Sequence, residues 1–198
     1  NRLQVVRQVH YSEKNENSID MVLFLNGIPI VTMELKNQLT GQTIINSEKQ
    51  YRYDRDPKEP LLRFKRCLVH FCVDNDKVSM STRLQEGKTV FLPYNRDLVN
   101  PIIEGGYRTQ YLWEDVLTPE SLLDIIENFV HVSNEKDYVF NTEKQKLETK
   151  IKDILIFPRY HQRDLIRKLR NQLKTDGVGK YYLIQHTTGS GKSYSIGW

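Results

Sequence analysis

Two apolar runs rich in β-branched residues, Ser18 to Leu25 and Ile28 to Lys36, meet at Asn26-Gly27. That dipeptide favours a tight turn between antiparallel strands, so the pattern predicts a β-hairpin. Ile44 to Tyr53 reads as a short helix and Lys65 to Val73 as a strand, turned at Asp74-Asn75-Asp76 into Lys77 to Thr82. Thr89 to Tyr94 reads as a further strand, and a loop follows at Gly105-Gly106. Thr118-Pro119-Glu120 opens a helix with a capping residue and a proline at its first position. Leu122, Leu123, Ile126 and Phe129 continue it. Leu165, Ile166, Leu169 and Leu173 form a second helical stripe ending near Gly177, and Tyr181 to Gln185 reads as a short buried strand. The charged stretch from Asn134 to Lys152 predicts an interdomain link with a helix. The expected division is a domain over residues 1–140, a connecting helix over 141–158 and the start of a second domain over 159–198. No internal repeat appears.

The hairpin carries charges where a half-buried strand does not favour them: Asp20 on its first strand, Glu34 and Lys36 on its second. Glu34 and Lys36 are two apart and share a face. A two-residue loop pairs Leu25 with Ile28 and hence Asp20 with Met33, which leaves Glu34 on the other face. A bulge or an odd-length loop shifts the register by one and brings Asp20 to Glu34. A functional site therefore predicts an irregular hairpin with Gly27 at positive φ, and Pro29, lacking an N–H, suits that end. Two carboxylates plus a main-chain carbonyl, with Leu35 the candidate, are hard oxygen ligands of the kind Mg2+ takes. Lys36 beside such a cation could orient or deprotonate water, or offset phosphate charge. The competing reading, an edge hairpin whose charges face solvent, stays open on this motif alone.

A second motif lies at the other end, in His186-Thr187-Thr188-Gly189-Ser190-Gly191-Lys192-Ser193. Glycines let main-chain N–H groups cradle phosphates, a lysine reaches the β- and γ-phosphates, and a Ser hydroxyl ligates Mg2+. Thr188, Gly189, Ser190, Gly191, Lys192 and Ser193 are therefore candidate nucleotide contacts, with Ser193 also a metal ligand. His186 stands where the full pattern has a first glycine, a departure shared by helicase-type ATPases. Gln162, in Phe157-Pro158-Arg159-Tyr160-His161-Gln162, fits the glutamine that superfamily-2 helicases place upstream to read adenine.

Composition narrows the field. The 198 residues are 38% hydrophobic and 27% charged, which describes an ordinary globular protein. No apolar run approaches a membrane span and no signal peptide is present, so the cytoplasm is the expected location. Cys67 and Cys72 lie five apart in one expected strand, on opposite faces, and read as buried reduced thiols. His10, His70, His131 and His161 are scattered and read as packing or surface residues. Net charge +4 permits nucleic-acid binding. Arg52, Arg55, Lys58, Arg63, Lys65 and Arg66 form either a nucleic-acid face or a merely solvated one.

Asp20…Glu34-Leu35-Lys36, the segment from Gln50 to Pro57, and the loop at 186–193 together resemble the restriction subunit of type I restriction–modification enzymes. The resemblance implies an α/β fold: a PD-(D/E)xK nuclease-type mixed sheet flanked by helices, followed by the start of a RecA-like superfamily-2 motor. It implies Mg2+-dependent cleavage of double-stranded DNA coupled to ATP-driven translocation, with Mg2+ and ATP as cofactors and modification and specificity subunits as partners. Carried over, Asp20 and Glu34 hold metal, Lys36 is the catalytic lysine and Gln50 matches the glutamine of a Gln-x-x-x-Tyr motif. At the tyrosine spacing this chain has Asp54, with aromatics at Tyr51 and Tyr53 instead. Later motor motifs are expected outside these residues, so the chain is expected to lack ATPase activity by itself. The alternatives are a DNA-binding ATPase with an inactive nuclease fold, and a signalling or structural ATP-binding module.

Overall fold

A computed structural model describes residues 1–141, 145–187 and 189–198. Six strands form one mixed sheet in sequence order: β1 (Leu3–His10), β2 (Ser18–Leu25), β3 (Ile28–Leu35), β4 (Val69–Val73), β5 (Val78–Ser81) and β6 (Leu92–Pro93). All neighbours are antiparallel except β3 and β4, which run parallel. That parallel pair requires a crossover, and α1 (Ile44–Lys49) followed by a π-helical turn (Gln50–Asp54) supplies it. The expected helix over Ile44 to Tyr53 is thus two pieces. The strand expected from Lys65 starts only at Val69, and the one expected over Thr89 to Tyr94 shrinks to two residues.

The two faces of this sheet differ in kind. Val31, Met33, Val69, Phe71, Val73, Val78 and Met80 point into an apolar core with Leu122 and Ile125 of α2 (Pro119–Asn128). Phe71 makes edge-on contacts with Phe157 and Tyr94, whose centroids lie 6.0 and 5.0 Å away. The alternate residues Thr32, Glu34, His70, Ser79 and Ser81 are also buried. Burying polar groups is costly unless they are hydrogen-bonded. Here Thr32 bonds the Tyr51 hydroxyl at 2.8 Å and His70 Nδ1 at 2.7 Å, and Ser79 donates to Glu48 at 2.8 Å.

Beyond α2 the structure departs from the sequence reading. The connecting helix expected over 141–158 does not form. Its place is taken by β7 (His131–Asn141) and β8 (Lys146–Ile156), an eleven-rung antiparallel ribbon. Lys146, Glu148, Lys150 and Lys152 alternate with Leu147, Thr149, Ile151 and Asp153. This two-residue period belongs to a strand. α3 (Tyr160–Asp176) follows and stops at Gly177, whose φ of 73° suits a helix end. Its Arg163, fully buried, contacts Asp115 at 3.2 Å and Ser121 at 2.6 Å, and Arg167 contacts Asp115 at 2.6 Å. α3 is thereby anchored to the segment just before α2.

The strand expected over Tyr181 to Gln185 is also absent. Those residues are irregular and Leu183 is exposed. A buried parallel strand takes its stability from neighbours, and no described strand pairs with this one. α4 (Lys192–Gly197) closes the chain, with Trp198 Nε1 donating to Phe129 O at 3.0 Å. No helix among the described residues is long and apolar enough to cross a membrane.

Candidate metal centre and phosphate loop

The hairpin solves its register problem in the strand rather than at the turn. Leu25 pairs with Ile28 across a two-residue Asn26-Gly27 turn, with φ of 51° and 82°. Both values are positive, as a type I′ hairpin turn requires, and Gly27 takes its value without strain. Leu23, however, pairs with Val31 while Phe24 pairs with Pro29, so Ile30 is one extra residue. Met21 then faces Met33, and the same register carried one step past that pair sets Asp20 against Glu34, with Leu35 N donating to Asp20 Oδ2 at 2.7 Å. Pro29 needs no ladder partner, and Leu68 N donates to the bulged Ile30 O at 2.9 Å. The bulge is what puts the two carboxylates on one face.

Glu34 is completely buried. Arg55 Nε donates to Glu34 Oε1 at 2.8 Å, and Ser47 Oγ donates to the Glu34 carbonyl at 2.9 Å. In the ionised form the second carboxylate oxygen, Oε2, has no donor among the described residues. Burial raises the Glu34 carboxyl to about 7, opposed by Arg55 and reinforced by the nearby Asp20 carboxylate. Asp20 accepts from Leu35 N at 2.7 Å and from Gln8 Nε2 at 3.1 Å. Two converging carboxylates with one undonated oxygen fit a divalent cation held also by main-chain oxygen or water. No group of three His, Cys, Asp or Glu residues gathers as a metal cage among the described residues.

Lys36 stands one residue past β3, its N–H bonded to Val73 O at 2.8 Å. Its side chain is half-buried and forms no ion pair with either carboxylate among the described residues. Gln50 begins the π-helical turn with Oε1 shielded and undonated. The aromatic beside the site is Tyr51, fully buried on Thr32, with its hydroxyl held well above the usual tyrosine range chiefly by burial. Tyr53 is exposed.

Arg55 is the residue that sequence reasoning misplaces. Grouped with a basic surface, it is in fact buried under the site, while Lys58, Arg63, Lys65 and Arg66 remain exposed. Lys65 pairs with Asp153 of β8. The two thiols are reduced, as expected, but Cys67 precedes β4, and both thiols pack into one cluster with Tyr51. Burial pushes the Cys67 thiol up to about 12. His70 is a packing residue, lowered to about 4 by burial.

At the other end, Gly189 and Gly191 have φ of 75° and 79°. Lys192 Nζ folds back onto the carbonyls of His186 and Thr187 at 3.2 and 3.1 Å. Gln162 is buried: its Oε1 accepts from Arg159 N at 2.8 Å and its Nε2 donates to Gly191 O at 3.0 Å and Ser190 O at 3.2 Å. His161 Nε2 lies 2.9 Å from Ser190 O. Gln162 therefore braces the loop rather than projecting from it. Ser193 is exposed, and Thr188 lies outside the described residues. A cavity of about 420 Å³ beside the loop is lined by Arg159, Gln162, Ser190 and Tyr194 from this end and by Phe64 and Arg83 from the other.

The family model described as type I restriction enzyme R protein N terminus matches residues 1–89, which hold β1 to β5 and the Asp20–Glu34 site. The putative type I restriction enzyme MjaVIIIP endonuclease subunit of Methanocaldococcus jannaschii is 26% identical over 200 residues. The match covers 92% of this chain but 16% of that protein, so the chain spans about one sixth of its relative's length. Residues 1–89 are thus similar to the N-terminal part of type I restriction enzyme R proteins, and the carboxylate pair lies within that match.

Proposed function

We propose that the chain is the nuclease end, and the opening of the motor, of a restriction subunit that cleaves double-stranded DNA with Mg2+ and couples cleavage to ATP-driven translocation. Modification and specificity subunits would complete the enzyme. The observation that carries this reading is the Ile30 bulge, because it spends a strand irregularity on bringing Asp20 to Glu34. Asp20 and Glu34 would hold Mg2+, which when bound supplies water of lowered pKa and offsets charge on the scissile phosphate. Lys36, half-buried at the end of β3, would orient or deprotonate the attacking water, and Gln50 joins the site on the family resemblance. Supercoiled plasmid given to the complete enzyme with Mg2+ and ATP tests this. Asp20→Asn and Glu34→Gln should each abolish nicking, and undiminished nicking in both would refute the assignment.

Lys192 and Ser193 would meet ATP phosphates and their Mg2+, with Gln162 bracing the loop and Gly189 and Gly191 giving its shape. A methyl at Gly191 would lie 2.4 Å from Gln162 Nε2 on a backbone at φ +79°. Gly191→Ala should therefore strain the loop by about 1–3 kcal/mol. A fluorescent ATP analogue should bind this variant at least several-fold more weakly than it binds wild type. Equal affinity would place nucleotide elsewhere.

A second reading has one observation behind it. Arg55 already neutralises Glu34, which also suits a nuclease fold that binds DNA without cutting it. Tight DNA binding with no Glu34-dependent nicking in Mg2+ would select that reading.

A further inference from the structure

We propose that Arg55 is a positioning residue that leaves Glu34 one free oxygen, and so biases the site toward a small octahedral cation over one that accepts a bidentate carboxylate. This inference rests on the metal-dependent reading above.

Arg55 reaches the site because α1 does not simply continue. The wider π-helical turn over Gln50–Asp54 inserts a residue before the chain leaves in extended form at Arg55, with φ −116° and ψ 117°. π turns of this kind concentrate at functional sites. The guanidinium is then fixed at two points. Nε donates to Glu34 Oε1 at 2.8 Å, and Nη2 donates to Ser18 O at 2.8 Å at the start of β2. The Tyr11 ring lies 5.9 Å from the guanidinium carbon. Both Arg55 and Glu34 are buried, so this charge-assisted bond is neither screened nor in exchange with solvent.

The consequence concerns valence. One oxygen of Glu34 is committed to Arg55, the other has no donor in its ionised form among the described residues, and the Asp20 carboxylate is near. Ca2+ takes six to eight oxygens and readily accepts both oxygens of one carboxylate, whereas Mg2+ demands near-octahedral geometry. A carboxylate pinned by arginine can offer one oxygen only. Lysine cannot reproduce the pin: it keeps the charge but lacks the planar fork that reaches Glu34 and Ser18 together.

Direct binding tests this without reference to cleavage. Mn2+ bound to the purified protein is followed by electron paramagnetic resonance, with Ca2+ added as competitor. Wild type should prefer Mn2+, and Arg55→Gln should lower the Mn2+:Ca2+ preference about tenfold, the scale on which residues behind metal ligands act. Arg55→Lys should fall between the two. A purely structural role would lower the melting temperature and leave the preference unchanged, which would overturn the proposal. Should Arg55→Gln fail to fold, Arg55→Lys decides alone: a shifted preference supports the proposal and an unshifted one overturns it. If wild type bound no Mn2+, or Glu34→Gln bound it equally well, the nuclease reading itself would fail. A preference that depends on Glu34 but ignores residue 55 would remove only the role of Arg55.

Discussion

Lys36→Ala in the complete enzyme should lower DNA cleavage about 10²–10⁴-fold, the contribution typical of a positioned proton-transfer group, while DNA-stimulated ATP hydrolysis stays near the wild-type rate. The two candidate sites stand on separate elements. Lys36 stands half-buried one residue past β3 of the six-stranded sheet, whereas Lys192 opens α4 beyond the ribbon and α3. Lys36 makes no ion pair among the described residues whose loss could spread. Lys192→Ala should do the reverse first: ATP hydrolysis is lost, translocation is lost with it, and cleavage that depends on translocation follows. Plasmid nicking and phosphate release, measured on the same preparations, separate the outcomes. If Lys36→Ala cost ATPase as heavily as Lys192→Ala does, the division of labour between the two ends would be wrong.

How much of this can be read from residues alone depends on whether the relevant partner is local. The Asn26-Gly27 turn and the misplaced charges on either side of it are local signals. They are enough to require a one-residue register shift between Asp20 and Glu34. They do not say where the shift falls, and it falls at Ile30 because Pro29 has no N–H to lose there. The ribbon of β7 and β8 carries its alternation openly, but dense charge reads as a linker, although charged side chains are at home on an exposed two-stranded ribbon. Tyr181 to Gln185 is the opposite case. An apolar run announces that it wants burial and cannot supply the neighbouring strands that would bury it.

Arg55 is beyond local reading altogether. It meets a carboxylate 21 positions away through a turn whose π geometry no residue pattern announces. Sequence places it among exposed lysines and arginines, where its charge looks like a surface property. In the fold it is the counterion that makes a buried Glu34 tolerable, since a carboxylate alone in that position would be strongly penalised. The same contact changes what Glu34 can offer a ligand. Stability and function therefore meet at one ion pair.

In the metal-free protein, Glu34→Gln should become about 3 kcal/mol more stable relative to wild type as pH rises from 4.5 to 7. Glu34 releases its proton near 4.5 when unfolded and near 7 when folded. Its favourable contribution is complete below 4.5 and is lost as pH rises through 7, at about 1.4 kcal/mol per pH unit. His70 runs the other way. Its folded value of about 4 lies below the ordinary 6.5, so its contribution is complete above 6.5 and is lost as pH falls toward 4. Between pH 4.5 and 6.5 the two slopes oppose and largely cancel in wild type. The glutamine side chain of the variant would resemble the protonated form of Glu34 and keep an oxygen for Arg55, so the two proteins should be about equally stable near pH 4.5. Above that, only the variant keeps the His70 slope uncompensated. Urea unfolding across this range reads the difference directly. Parallel stability curves would mean that Glu34 is not raised in the folded state. A gain in stability at neutral pH on removing Glu34 would mark a carboxylate retained at a cost to the fold, as functional groups often are.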